Sequence, residues 1–351
     1  MQASCLVLDF FLIKKILKLI GIGIVSFVLG ILLIGAVGSS LSLDRDFNHT
    51  RSTEQLPLYS NTYSTGEATG LVKIEANGFE FRARIANNRN NSLEQETVIF
   101  LHGFPTTSAM WEPIISPIAS AGYRVVAFDQ RGYSPGARPL DSSAYQVPEL
   151  VSDVIAVADA VGADRFHLIG HDWGSAVGWA TVMEYPERIL SWTGISIAHP
   201  AAFSAALASD PDQQSRSSYF LLFTMPWVPE TLLTFNNLAA LTSIFADMRP
   251  SQKEEYRAVF SEPGALTATL NWYRQMGASL DSGSESDPYI EVPTLFVWGN
   301  NDPSAGRAAV EGQEKYMNGP YVKLELAGGH WLITSHSNAI LKSLLEHLDS
   351  N

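Results

Sequence analysis

The 351 residues are 46% hydrophobic and 17% charged, which is enough chain and enough apolar surface for a full core in one large or two modest globular domains. A formal net charge of −13 argues against nucleic acid or an anionic membrane surface as a partner and suits a neutral organic ligand better. With a single cysteine, Cys5, the chain can form no intrachain disulfide and no thiolate metal site, and its eight histidines show no metal-ligand spacing, so neither metal nor cofactor is expected.

The first element along the chain is LIGIGIVSFVLGILLIGAVG, Leu19 to Gly38, about twenty residues without a charge. At about 1.5 Å per helical residue it can span a hydrocarbon layer of roughly 30 Å. Lys14, Lys15 and Lys18 precede it, a bias that keeps the N-terminal side in the cytoplasm and carries the remainder across the membrane. Two readings fit. A single-pass transmembrane anchor over 1–38 is favoured, because signal-peptide apolar regions usually run only about 7–15 residues; the alternative is a signal cleaved after Ala36-Val37-Gly38. Both put the folded part outside the cytosol, membrane-held in the first case and secreted or periplasmic in the second. Residues 39–70, rich in Ser, Thr, Asn and charge, read as a linker.

Leu71 to Ile85 alternates apolar and polar positions around Asn77-Gly78, the pattern of a hairpin with a tight turn. Short apolar runs then alternate with longer helical patterns: Val98–Leu101, Val125–Phe128, Phe166–Ile169, Trp192–Ile197, Thr294–Trp298 and Val322–Leu326. Such alternation predicts an α/β fold with a mainly parallel sheet and helices on both faces. Between His199 and about Pro288 the alternation stops, and a helical stretch rich in aromatics and interrupted by prolines takes over. It reads as a helical lid over 199–288, inserted between a first core part (71–198) and a second (289–351). A lid of this kind encloses an apolar pocket and keeps water from a reacting centre.

The most informative stretch is Leu168-Ile169-Gly170-His171-Asp172-Trp173-Gly174-Ser175, an apolar run that ends in Gly-x-Asp-x-Gly and leads into a helix. It has the form of a nucleophile elbow, in which a strand turns sharply into a helix and holds one side chain at the tip. Serine commonly stands there; here the residue is Asp172. A carboxylate is already an anion at neutral pH and can displace a leaving group from saturated carbon, giving an alkyl ester on the enzyme. Attack on an ester carbonyl would give a high-energy anhydride instead, which argues against an ordinary esterase or protease. Ser175 lies one turn past the tip, badly sited to take over. The competing reading of Asp172 is a plain helix cap.

Six stretches in order, His102-Gly103-Phe104-Pro105, Asp129-Gln130-Arg131-Gly132-Tyr133-Ser134, the Gly170–Gly174 elbow, Asn271-Trp272-Tyr273-Arg274, Trp298-Gly299-Asn300-Asn301-Asp302 and Gly328-Gly329-His330-Trp331, resemble the α/β-hydrolase superfamily, and within it the epoxide hydrolase and haloalkane dehalogenase branch. The resemblance runs from about Leu71 to the C-terminus. It implies Asp172 as nucleophile, His330 as general base (with His336 as the fallback) and Asp302 as the acid that orients the imidazole. Some relatives carry that acid after an earlier strand, but here that strand ends in Ser196-Ile197-Ala198-His199 with no carboxylate. The backbone N–H groups of Phe104 and Trp173 would form the oxyanion hole. Phe104, Trp173, His199, Phe223 and Trp331 are expected to line the substrate pocket. His102, Arg131, Tyr133 and His171 read as structural, and Trp298 as core.

The leaving group is the finer question. Opening an epoxide needs a proton donor, usually a pair of lid tyrosines in epoxide hydrolases. Tyr273 matches one; at the other position the chain has Leu222, with Tyr219 three residues earlier and nearly one helical turn away. A halide leaves unprotonated and wants N–H donors, of which Trp173 is one, while Phe104 has none in its side chain. The expected activity is hydrolysis of a small apolar epoxide to a diol. Dehalogenation of a haloalkane or haloacid by the same two steps is the alternative, and a binding protein that kept the fold without the chemistry a further one.

Overall fold

The computed structural model describes residues 61–62, 70–87, 95–245, 247–281 and 287–351. The expected span at Leu19–Gly38 lies outside them, and among the described residues no helix is long and apolar enough to cross a membrane. A two-residue strand, β1 (Asn61–Thr62), runs parallel to β2 (Gly70–Ala76). Asn77 and Gly78, with φ of 50° and 76°, return the chain antiparallel as β3 (Phe79–Ala86). Positive φ at both turn residues matches the twist of the flanking strands, and Asn and Gly adopt it at least cost. Next come β4 (Thr97–Leu101), α1 (Glu112–Ser120), β5 (Arg124–Phe128), α2 (Val147–Ala160), β6 (Phe166–His171), α3 (Trp173–Glu184) and β7 (Ile189–Ile195). A helical insertion follows, made of α4 (Pro200–Ser209), α5 (Pro211–Arg216), α6 (Phe220–Phe223), α7 (Val228–Ile244), α8 (Pro250–Phe260) and α9 (Ala265–Asp281). The sheet resumes with β8 (Thr294–Gly299), α10 (Arg307–Gly312), β9 (Tyr321–Leu326), α11 (Leu332–Ser335) and α12 (Ser337–Asp349).

Within the described residues the strand order is β1-β2-β3-β5-β4-β6-β7-β8-β9, parallel from β5 through β9 and antiparallel only where β3 meets β2 and β5. From β4 the chain crosses to β5 on one side, whereas β6 lies on the other. The loops leaving β4 and β6 therefore diverge at their carboxyl ends and open a crevice, the point at which doubly wound sheets take ligands. Side-chain alternation sends each strand into two cores. Ile99, Leu101, Val126, Phe128 and Leu168 pack beneath α2 and α3, while Val98, Phe100, Val125, Ala127 and Ile169 pack against α1 and α12.

One strand boundary differs from the sequence reading. The run Trp192–Ile197 is realised as Ile189–Ile195, and Ser196 leaves the strand with φ of 76°. The apolar run continues past the strand because Ile197 and Ala198 still pack inward, and Ser196 turns its hydroxyl to Asp302.

The insertion is tied to the sheet part by charge at Glu255 and, through Arg138 and Glu262 at 2.5 Å, just past the end of α8. Glu255 on α8 accepts from Arg82 at 2.5 Å, from Thr107 at 2.6 Å, and from Arg84, and Arg82 in turn bonds Asp129 at 2.6 Å. All of these side chains are buried or nearly so. Removing one member of such a cluster leaves an uncompensated charge, at a cost of roughly 3–5 kcal/mol.

Candidate active site

Asp172 stands between β6 and α3 with φ 55° and ψ −121°, a conformation that an L-residue holds only under constraint. The turn closes this tightly because Gly174 has no side chain: a Cβ there would lie 2.0 Å from the Leu101 carbonyl oxygen. Gly103 is required for a related reason, since its Cβ would fall 2.3 Å from Asp172 Oδ1. Although Asp172 occupies the cap position of α3, its side chain caps nothing. Instead Oδ1 accepts the Phe104 N–H at 2.8 Å, with the Trp173 N–H as a second backbone donor. Oδ2 lies 3.6 Å from His330 Nε2.

His330 follows β9, and Asp302 follows β8. Nδ1 of His330 is 3.1 Å from each Asp302 oxygen, so the three groups form one chain, Asp302–His330–Asp172. Burial alone would lower the His330 pKa, but Asp302 and then Asp172 outweigh it and carry it up to about 9. For Asp302, burial works upward; the imidazole and the hydrogen bonds from His330, Ser196 and the Ser304 N–H prevail and hold it down at about 2. Asp172 is raised by burial, against the pull of His330 and the two backbone N–H groups. The imidazole is thus drawn toward its charged form and Asp302 is held anionic, while burial works against the charge on Asp172.

Both tyrosines reach the same cavity. Tyr273, on the buried face of α9, stands edge-on to Trp173 with centroids 5.1 Å apart, and Trp173 is a side-chain hydrogen-bond partner of its hydroxyl. The indole can only donate, so the Tyr273 oxygen accepts that bond. Tyr219, the residue before α6, has its ring 6.2 Å from that of Tyr273 and hydrogen-bonds Ser304 and Tyr273. Burial raises both hydroxyl pKa values above the ordinary tyrosine range, so both carry their protons at neutral pH. Leu222, where the family pattern has tyrosine, lines neither side of the cavity.

A cavity of about 700 Å³ opens over Asp172 and His330 and is bordered by Phe104, Tyr219, Phe223, Tyr273 and Trp331. A smaller one of about 230 Å³ meets it at Asp172, Tyr219 and Tyr273 and continues past Trp173 between apolar side chains such as Met183, Phe203 and Met276. His199 does not take the pocket-lining position expected of it. It is buried beside α4, its ring stacked on Tyr316 at 4.6 Å and edge-on to Trp179, with Nδ1 accepting the Ala201 N–H. Its place after an apolar run resembles that of the site residues, but Ser196 has already turned the chain away. His336 is engaged with Ser335 rather than the carboxylates. Ser175 donates to the Ile197 carbonyl at 2.9 Å.

The residues read as structural have structural partners. His102 accepts the Gln130 N–H at 3.0 Å and faces the Gly103 carbonyl, and burial lowers its pKa to about 4. Arg131 pairs with Asp153 at 2.6 Å. His171 contacts the His330 carbonyl at 2.9 Å and lies against its ring. The residue that sequence reasoning missed is Ser196, whose hydroxyl donates to Asp302 Oδ2 at 2.7 Å and lies 3.1 Å from His330 Nδ1. A serine at a strand end carries no signal of such a role, since the contact is made across two strands.

Comparison with known proteins agrees with this arrangement. Residues 96–337 match the family model of the alpha/beta hydrolase fold. An AB hydrolase superfamily protein of Bacillus subtilis is 31% identical over 282 residues, covering 78% of this chain and 96% of that protein. Human epoxide hydrolase 4 is 31% identical over 274 residues, covering 74% and 73%. The crystal structure of an epoxide hydrolase from Bacillus megaterium superposes with a TM-score of 0.72 at 23% identity, over 79% of this chain and 99% of that one. A strand-end carboxylate elbow on a doubly wound sheet and these matches together make the chain a member of the α/β hydrolase fold family, an epoxide hydrolase-like hydrolase.

Proposed function

We propose that this protein hydrolyses a small apolar epoxide to a diol through a covalent ester on Asp172, and that the helical insertion acts as the lid over that reaction. The observation that carries the reading is the pair of protonated hydroxyls, Tyr219 and Tyr273, on the same cavity as the Asp172 carboxyl group and His330. In the first step Asp172 Oδ2 attacks one epoxide carbon and the C–O bond breaks. The departing oxygen, still attached to the other carbon, takes a proton from the tyrosine pair. In the second step His330 removes a proton from water and the hydroxide adds to the Asp172 carbonyl carbon. The oxyanion then sits on Oδ1, against the Phe104 and Trp173 N–H groups, each worth roughly 2.7–4 kcal/mol in such sites. Collapse breaks the ester C–O bond; the departing alkoxide takes the proton of the added hydroxyl, leaving Asp172 as a carboxylate, and the proton held by His330 returns to the tyrosine pair as the diol leaves.

The electrostatics suit the order of these steps. Esterification removes the Asp172 charge, and with it part of what keeps the His330 proton on, so the imidazole becomes a better base once the ester exists. A halide leaving group finds less support, because the Trp173 indole N–H that it would need is already given to Tyr273. The binding-only alternative is disfavoured by a cavity that opens directly over an ordered Asp302–His330–Asp172 chain.

A single turnover in ¹⁸O-labelled water tests the reading. The label is expected in the carboxylate of Asp172 and not in the diol of that first turnover. Unlabelled enzyme with labelled diol would mean that water attacks the epoxide directly, and release of halide from halogenated alkanes with no diol from any epoxide would move the assignment to dehalogenation.

A further inference from the structure

Between Ser217 and Phe245 the sequence has one charged side chain, Glu230, where the chain's average of 17% would give about five. Glu230 is buried, and Arg274 donates to its two oxygens at 2.8 and 3.0 Å. No ionised group of this stretch therefore reaches the surface. Its exposed side chains from 221 to 235 are Leu221, Met225, Pro226, Trp227, Leu232 and Phe235, joined only by Thr224, whose hydroxyl turns back on the Phe220 carbonyl at 2.9 Å. Leu221 and Phe235 are 73% and 74% exposed. Single exposed apolar residues need no explanation, but six on fifteen consecutive positions of an acidic protein do. Side chains exposed to that degree stand out from the surface rather than line a groove, so a partner helix would find no cleft to enter.

The chain itself points to what covers them. The uncharged segment Leu19–Gly38 is expected from its sequence to span a membrane, and residues 39–69 are all that separate it from β2. Residues 39–60, which lead from that segment to β1, would reach about 26 Å as a random coil, less than the diameter of the domain, so a face of the domain stays near the bilayer. The chain's net charge of −13 opposes close contact with an anionic bilayer surface, and the exposed side chains of α6 and the start of α7 carry none of that charge. Tryptophan at the border of such a face, here Trp227, suits the headgroup layer. We propose that the surface formed by residues 221–235 rests on the lipid bilayer that holds Leu19–Gly38, with Leu221, Trp227 and Phe235 in the interfacial layer. This docking does not depend on the chemistry assigned to Asp172. It does set the cavity close to lipid, because Tyr219 and Phe223 border the cavity from the segment whose other side presents Leu221.

The test uses the full chain reconstituted in phosphatidylcholine vesicles. Cys5 is the only cysteine, so Cys5→Ser combined with Phe235→Cys gives one site for a fluorescent bimane label. Nitroxide-bearing phosphatidylcholine in the vesicles is expected to quench the label several-fold, and aqueous iodide to quench it several-fold less than it does after unfolding in urea. The same result is expected with the label at Leu221→Cys, and adding Leu221→Asp to the protein labelled at residue 235 should abolish lipid quenching while the circular dichroism spectrum is unchanged. A label open to iodide overturns the proposal. So does a label shielded from both quenchers, which would mean that a second copy or another part of this chain covers the face.

Discussion

The sheet and the helical insertion both bring reactive groups to the cavity over Asp172, but they hold them differently. Asp172, Asp302 and His330 each come just after a parallel strand, and their mutual distances of 3.1–3.6 Å are set by strand register and by charge. Tyr219, at the start of α6, and Tyr273, within α9, have no strand neighbour. They are positioned by ring contacts of 5.0–6.2 Å with Phe223, Trp173, Phe104 and each other. In the reaction proposed above, the sheet-borne half holds the groups whose alignment must survive the whole cycle. The half built from packed rings holds the groups that, in the same proposal, need only deliver a proton, and ring packing tolerates small shifts that an ion pair does not.

If this division is right, damage to the two halves should stop the reaction at different steps. The largest effect is expected from His330→Gln, which should lower turnover by about 10²–10⁴-fold while leaving the attack of Asp172 intact. Mass spectrometry of the peptide containing Asp172 should then show the substrate added to the enzyme. Tyr273→Phe should instead slow formation of that adduct, by about 10²-fold, without letting it accumulate. Tyr219→Phe should do the same more weakly, by about tenfold, because its hydroxyl is shared with Ser304. An adduct that builds up in either tyrosine variant would break the comparison.

A measurement of stability sharpens it through pH. His330 binds its proton more tightly folded, at about 9, than at its ordinary 6.5, so its ion pairs contribute stability in full below about pH 6.5 and lose it as pH rises through 9. Unfolding experiments should show that loss, at most about 3 kcal/mol, across this window. His330→Gln should flatten the slope. Tyr273→Phe should leave it unchanged, because neither tyrosine titrates there.

The same division decided what could be read from the chain. Paired glycines around Asp172 and strand-then-acid or strand-then-histidine order made Asp172, Asp302 and His330 legible, since a parallel sheet sends its strand ends to one edge. The Asn77-Gly78 hairpin and the alternation of strands and helices were legible for similarly local reasons. Tyr273 was found through its motif and Tyr219 only through helical spacing, because nothing local distinguishes a cavity tyrosine from one packed in a core. His199 was misjudged and Ser196 overlooked by the same mechanism. Where the backbone departs from the strand at Ser196, the rule that strand-end residues face the crevice holds for one residue and fails three positions later.

The buried cluster around Glu255 bears on how the helical insertion is held over the cavity. Two guanidinium groups and a threonine hydroxyl grip α8 from the sheet, so that helix acts as a fixed post. The opposite end of the insertion is held by neutral carbonyls instead: Trp331 donates to the Ile244 carbonyl at the end of α7 and Arg216 to that of Asp302. The roof over Asp172 is thus fastened from two sides, by ions at α8 and by backbone oxygens beside the histidine and its acid.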